Sequence, residues 1–268
     1  MKIGFCSISV LDRPIAAAAA LAVAAGVDGL EVTAHKPHLD PHDGPDMARA
    51  IGRTVRSTGL DVLAYGSYLG RFGQVTLEDA DREAAIAAAL GTPLLRVWAE
   101  PLADGDSDPA PAVALLRRAC NAARGDGITV VVERHIGSFA DTPERIERLF
   151  NAIDRDNLAL NYQVLDFLPA EEVPRQADDA ARLIGRAAYF HLKNYQWNPD
   201  GVGRVIPGGS LAGGVLNYRQ ILRSALQAGY RGPLTIEFLA ADERPVEEKL
   251  AADVAFVREV LADVRGAA

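Results

Sequence analysis

The sequence predicts a single (β/α)8 TIM barrel, an α/β fold, from three observations. Eight short aliphatic or β-branched runs alternate with longer Ala-, Leu- and Arg-rich segments of helical spacing. No linker-like stretch divides the 268 residues, a length that α/β barrels reach as one domain. The turn after the first run reads SVLDRP, not the Gly-rich turn that a doubly wound open sheet would place there.

The elements follow in order. KIGFCSI at 2–8 reads as the first strand, and IAAAAALAVAAG at 15–26 as the first helix. That apolar run imitates a secretory segment, but a strand and Asp12, Arg13 and Pro14 precede it, and it is shorter than the roughly 20 residues that span a bilayer. DGLEVT at 28–33 is the second strand. HKPHLDPHD at 35–43 carries three of the five histidines, yet its prolines suit a loop that lids or touches substrate better than a second metal site. LDVLAYG at 60–66 is the third strand, with Tyr65 and the following Phe72 read as packing or as a wall for a sugar ring. LLRVWA at 94–99 is the fourth, carrying Arg96 and Trp98, and Trp98 has the same two readings. ITVVVERH at 128–135 is the fifth. The helix after it opens with Asp141, Thr142, Pro143 and Glu144, a capping residue, an early proline and an acid. LALNYQ at 158–163, AAYFHLK at 187–193 and PLTIEFL at 233–239 complete the set. The Gly-rich run VIPGGSLAGGVLN at 205–217 precedes the seventh helix, where barrels often bind phosphate, but Arg204 is its only nearby cation.

Barrel chemistry sits where strands end and βα loops begin. Here the fifth strand ends in Glu133 and His135, the sixth in Asn161 and Gln163, the seventh in His191 and Lys193, and the eighth carries Glu237. Residues two apart share a strand face, so these pairs converge on one mouth if that face is the lumen. The resulting oxygen-rich set with one imidazole suits Mn2+, Mg2+ or Co2+. Each residue also has a purely structural reading: Glu133 as partner of an inward Arg96, His191 as a core histidine, Gln163 as a hydrogen-bonded lumen amide. The coincidence of Glu133, His191 and Glu237 favours ligands. Arg134, facing the helix layer, has a solvated or paired role.

The ExH ending of the fifth strand, HLK on the seventh and the late TIEF strand resemble the xylose isomerase-like superfamily of sugar phosphate isomerases and epimerases, over nearly the whole chain. The resemblance implies one divalent metal, Mn2+ first with Mg2+, Co2+ or Zn2+ as alternatives, held at Glu133, Gln163, His191 and Glu237. Two departures stand out. The family's Asp-x-x-His after the sixth strand becomes Gln163-Val164-Leu165-Asp166, and its His-x-Lys-Asp becomes His191-Leu192-Lys193-Asn194. Gln163 removes one negative ligand, and Asp166 becomes a second candidate to reach the metal from the loop.

The expected activity is isomerisation or epimerisation of a small sugar or related polyhydroxy carbonyl compound through an enediolate. Glu133 and Glu237 would exchange the proton, Lys193 and His135 would hold hydroxyls and oxyanion charge, and Arg96, Trp98, Tyr65 and Asp166 would surround the substrate. A dehydratase or other lyase on a keto-sugar or keto-cyclitol uses the same enolate, and a non-catalytic sugar-binding barrel would explain Gln163. The family's endonuclease branch needs three zinc ions and more ligands than this chain has. The net charge of -8 also repels a phosphate backbone, so no nucleic-acid partner is expected. Cys6 and Cys120, one in a strand and one in a helix, read as buried thiols in a reducing compartment. With no span for a membrane, a cytoplasmic location is expected, and a homo-oligomer stays open.

Overall fold

The computed structural model describes residues 1–100, 107–200 and 204–266, without the side chain of residue 265. Eight parallel strands close into a barrel: β1 (Ile3–Cys6), β2 (Gly29–Thr33), β3 (Asp61–Gly66), β4 (Leu94–Val97), β5 (Thr129–Glu133), β6 (Leu158–Tyr162), β7 (Ala187–Leu192) and β10 (Leu234–Ile236), with β10 pairing β1 and β7. Between β7 and β10 an antiparallel hairpin is added by β8 (Asn194–Trp197) and β9 (Val205–Gly209). The described residues form eight α-helices, α1 (Ile15–Ala25), α2 (Gly44–Ser57), α3 (Leu77–Leu90), α4 (Ala110–Arg124), α5 (Pro143–Ile153), α6 (Gln176–Leu183), α7 (Tyr218–Gln227) and α8 (Val246–Gly266). Local signals start several of them. Thr76 and Asp79 form a reciprocal capping box on α3, and Thr142 caps α5 ahead of Pro143.

One apolar core fills the space between strands and helices, and a smaller cluster of Ala64, Leu94, Val131 and Tyr189 lies apart from it. Two residues further along the same strand faces come Gly66, Arg96, Glu133 and His191. The lumen therefore changes from apolar to charged as it approaches the C-terminal mouth. Two bulges contribute: Leu63 is passed over in the β2–β3 ladder just beside Glu31, and Ala188 in the β6–β7 ladder beside Asn161. Such insertions re-aim the side chains next to them.

The barrel strands are shorter than the sequence pattern suggests, so His135, Gln163, Lys193 and Glu237 lie just beyond the paired residues. The run 205–217 is not all loop, since its first five residues form β9. Tyr65 departs from its expected place against substrate. It is buried on the outer face of β3 and donates its hydroxyl to Glu83 of α3 at 2.6 Å. Alternation explains this, because the residues on either side of Tyr65, Ala64 and Gly66, take the inner face. The histidine-rich loop also stays structural at its centre, where His38 is buried with Nε2 2.9 Å from the Arg13 carbonyl.

Gly66 shows how closely the charged layer is packed. A Cβ there would stand 2.4 Å from Glu31 Oε1 and 2.8 Å from Arg96 Nη2. Gly66→Ala should therefore lower stability by about 1–3 kcal/mol, the usual cost of overpacking. Urea unfolding of the two proteins checks this, and equal midpoints would show that the lumen has room to spare.

Candidate active site

Three carboxylates and one imidazole meet at the end of the lumen. His191 is fully buried, with Nδ1 3.5 Å from Glu237 Oε1 and 4.0 Å from Glu133 Oε2. Its other nitrogen, Nε2, lies 2.6 Å from Glu31 Oε2, which also accepts the Tyr189 hydroxyl at 2.8 Å. Glu31 is a functional candidate that the reading of strand ends passes over, although a carboxylate inside the apolar run GLEVT carries the same signal as Glu133.

Buried carboxylates require compensating charge. Arg96 supplies it on one side, with Nε 3.2 Å from Glu133 Oε2 and Nη2 3.5 Å from Glu31 Oε1. Lys193 supplies it on the other, 3.2 Å from Glu237 and 3.4 Å from Asp166. The effects on ionisation follow. Burial opposes the Glu31 charge, but His191, Arg96 and Tyr189 outweigh it and bring that carboxyl down to about 2. Burial raises Glu133 despite Arg96, whereas against the same burial Lys193 and His191 hold Glu237 below its ordinary value. His191 is raised: burial works against its positive form, but Glu31, Glu237 and Glu133 prevail. Burial likewise opposes the Lys193 charge, and Glu237 and Asp166 overcome it, so the ammonium is held above its usual range.

Gln163 is fully buried beside this set and acts as a donor. Its amide nitrogen lies 2.9 Å from Glu133 Oε1 and 2.8 Å from the Arg134 carbonyl. Both partners are obligate acceptors, which sets the amide's orientation and leaves Oε1 without a hydrogen-bond partner among the described residues. Asp166 accepts from the Tyr195 hydroxyl at 2.7 Å and stands across Lys193 from Glu237. Arg134 points outward to Asp179 of α6 at 2.5 Å, as its position on the strand implies.

Above the charged floor opens a cleft of about 290 Å³, lined by Arg96, Glu133, His135, Asp166, Lys193 and Glu237 and walled by Tyr68, Trp98, Phe72 and Phe238. Trp98 lies parallel to Tyr68 within 6° and meets the His135 ring edge-on. The Arg71 guanidinium stacks 4.1 Å from the Trp98 ring while pairing with Glu100 at 3.2 Å. His135 Nδ1 is 3.0 Å from the Ile136 carbonyl, so that nitrogen carries the proton, and Nε2 is 3.9 Å from Asp166 Oδ2. The mouth thus brings together every site residue named from the sequence except Tyr65; the wall residues Tyr68 and Phe238 carry no signal of their own there.

The floor fits a hard divalent cation. Neighbouring donor atoms about 2.1 Å from an octahedral ion sit about 3 Å apart, and opposed ones about 4 Å. The separations of His191 Nδ1 from Glu237 and Glu133 fall in this interval. Glu133 Oε2 and Glu237 Oε2 are buried oxygens without a hydrogen bond among the described residues, their charges facing Arg96 and Lys193 at 3.2 Å each. Cys6 Sγ joins His191 and Glu237 in a trio of ligand atoms lying within 4.8 Å of one another.

The model of the family described as xylose isomerase-like TIM barrel matches residues 19–260. The fold is similar to that of a xylose isomerase-like TIM-barrel protein from Mycobacterium smegmatis in complex with magnesium, at 21% identity and a TM-score of 0.72, covering 98% of this chain and 97% of that one. It is also similar to the "probable 3-DHS dehydratase AsbF involved in the petrobactin synthesis" from Bacillus anthracis, at 20% identity and a TM-score of 0.72, over 96% and 99% of the two chains. An L-ribulose 3-epimerase matches at 16% identity and a TM-score of 0.74, over 98% and 95%. A search of curated protein sequences finds no match.

Gln163→Glu is a near-isosteric test of the donor role. It removes both N–H contacts and buries a second carboxylate against Glu133, so it should cost about 1–3 kcal/mol without added metal. Mn2+ should then raise the variant's Tm more than that of the unaltered protein. A variant as stable as its parent without metal would contradict the contact.

Proposed function

The chain belongs to the xylose isomerase-like TIM-barrel family, and from that premise we propose that it is a divalent-metal-dependent isomerase or epimerase of a small polyhydroxy carbonyl compound. The observation that carries this reading is the pair Glu133 and Glu237 facing one imidazole nitrogen at the bottom of a cleft sized for a small molecule. Glu133, His191 and Glu237 would hold the metal, with Mn2+ favoured by oxygen-rich ligation, and Gln163 would orient Glu133. When bound, the ion supplies Lewis acidity to a carbonyl and its adjacent hydroxyl, which lowers the pKa of the C–H between them.

The chain's own residues account for the proton movement. One of the Glu133 and Glu237 carboxyls takes the proton from carbon as its carboxylate, and the other, in its acid form, delivers a proton from the other side or to the neighbouring carbon. Lys193 is held cationic by Glu237 and Asp166, so it acts as a fixed positive charge for the developing oxyanion and not as an acid. Trp98 and Tyr68 offer flat apolar faces to the C–H side of the substrate and exclude water. Lys193 and Arg96 line the same cleft and offer their donors to the substrate's polar groups.

A second reading, dehydration, is favoured by one contact. His135 keeps its Nδ1 proton on the Ile136 carbonyl and turns Nε2 toward Asp166, so a protonated Nε2 could deliver that proton to a departing β-hydroxyl. Carbon then loses its proton to a carboxylate, the C–O bond breaks, and water leaves with the histidine's proton.

Ketoses, aldoses and keto-cyclitols incubated with the Mn2+-loaded protein in D2O separate the readings. Exchange at the carbon next to the carbonyl with an isomeric product supports the first, and an unsaturated product absorbing in the ultraviolet supports the second. Glu133→Gln and Glu237→Gln should each reduce turnover by about a hundredfold or more with the fold retained by circular dichroism. Near-normal turnover in either metal-loaded variant would rule out the two-carboxylate mechanism. Absence of Mn2+, Co2+ and Zn2+ uptake at micromolar concentration would rule out the metal.

A further inference from the structure

Glu31 lies on β2, three strands around the barrel from β5, and is fully buried. Its nearest partner is not a cation of fixed charge. Arg96 Nη2 stands 3.5 Å from Glu31 Oε1, farther than the 3.2 Å that separates Arg96 Nε from Glu133. The closest contact of Glu31 is the 2.6 Å approach of Oε2 to His191 Nε2, and Tyr189 donates to the same oxygen. Gly66 leaves the space in which this carboxylate sits, since any Cβ there would meet it.

A carboxylate oxygen at that distance requires a proton on Nε2, because two lone pairs would otherwise face each other in a buried place. Nδ1 of the neutral ring must then carry the lone pair. The groups around Nδ1 agree: the Asn161 amide nitrogen is 3.2 Å away and donates, and the oxygens of Glu237 and Glu133 follow at 3.5 and 4.0 Å. A cation there takes the lone pair that Asn161 otherwise uses, so both arrangements need one tautomer.

We infer that Glu31 is a positioning residue which holds His191 as the Nε2–H tautomer and so presents Nδ1, and not Nε2, to the metal; this rests on the proposed metal-dependent reading of the same floor. Carboxylates that accept from the far nitrogen of a ligating histidine orient the ring and raise its basicity. Tyr189 restrains the carboxylate in turn, so the alignment runs from β2 to β7 without contact with the cleft's substrate space.

Two measurements test the assignment. The first is 15N NMR of histidine-labelled, metal-free protein at a pH above the imidazole range, and it needs no variant. His191 should show a protonated Nε2 and a bare Nδ1, and a protonated Nδ1 would overturn the inference. The second is competition of Zn2+ and Mn2+ against a chelator. Glu31→Gln, whose amide oxygen can still accept from Nε2, should keep the tautomer with a smaller loss of affinity. Glu31→Ala should mix the tautomers and weaken metal binding about 10–100-fold. An Ala variant that folds and keeps both the single tautomer and the affinity would overturn the inference. Failure of the unaltered protein to take up either metal would instead sink the metal reading, while the tautomer, read without metal, judges Glu31 separately.

Discussion

Keeping several carboxylates charged in an almost fully buried place is the constraint on which the barrel's mouth depends. Glu31, Glu133 and Glu237 are each less than 5% exposed, and an unpaired ion at such a site costs several kcal/mol. The surrounding sequence answers that cost. Arg96 reaches in from β4 to touch two of the three, Lys193 follows β7 to hold the third, and Gln163 closes the remaining oxygen of Glu133. Even the small residues belong to this solution, because Gly66 gives up its side chain so that Glu31 and Arg96 can meet.

The same arrangement distinguishes the two carboxylates nearest the cleft. Glu133 shares Arg96 with Glu31, so only part of that guanidinium's charge serves it, and burial keeps it above its ordinary range. Glu237 has Lys193 within 3.2 Å and His191 within 3.5 Å and falls below it. Neighbouring acids driven in opposite directions suit a proton that moves between them.

Much of this is legible in the sequence itself. Periodicity revealed eight βα units, and the rule that chemistry follows strand ends led to Glu133, His191, Lys193 and Glu237. The rest depends on contacts between distant strands. Glu31 and His191 are 160 residues apart and meet only because the sheet closes, and a residue inside β2 attracts no attention from a rule about ends. Of the two readings of Tyr65, packing holds and substrate contact does not: aromatic character says nothing of which face a residue takes, and the Ala64–Tyr65–Gly66 alternation sends it outward to Glu83. β9 escaped notice because VIPGG holds a proline and two glycines, residues that strands ordinarily avoid; its pairing with Asn194–Trp197 supplies the order.

Charge balance gives the last step. The floor and its rim hold four carboxylates, Glu31, Glu133, Asp166 and Glu237, against two permanent cations, Arg96 and Lys193. With His191 neutral, two negative charges are left over; with the ring protonated, one is. A divalent ion beside a neutral His191 brings the sum to zero, and protonation alone does not. Gln163 then acquires a physical reason. The family's aspartate at that position would add a fifth negative charge, which Arg96, shared between Glu31 and Glu133, is already too committed to offset. The amide keeps the hydrogen bond to Glu133 without the charge, so the neutral residue at the sixth strand and the carboxylate of Glu31 on the second belong to one charge balance.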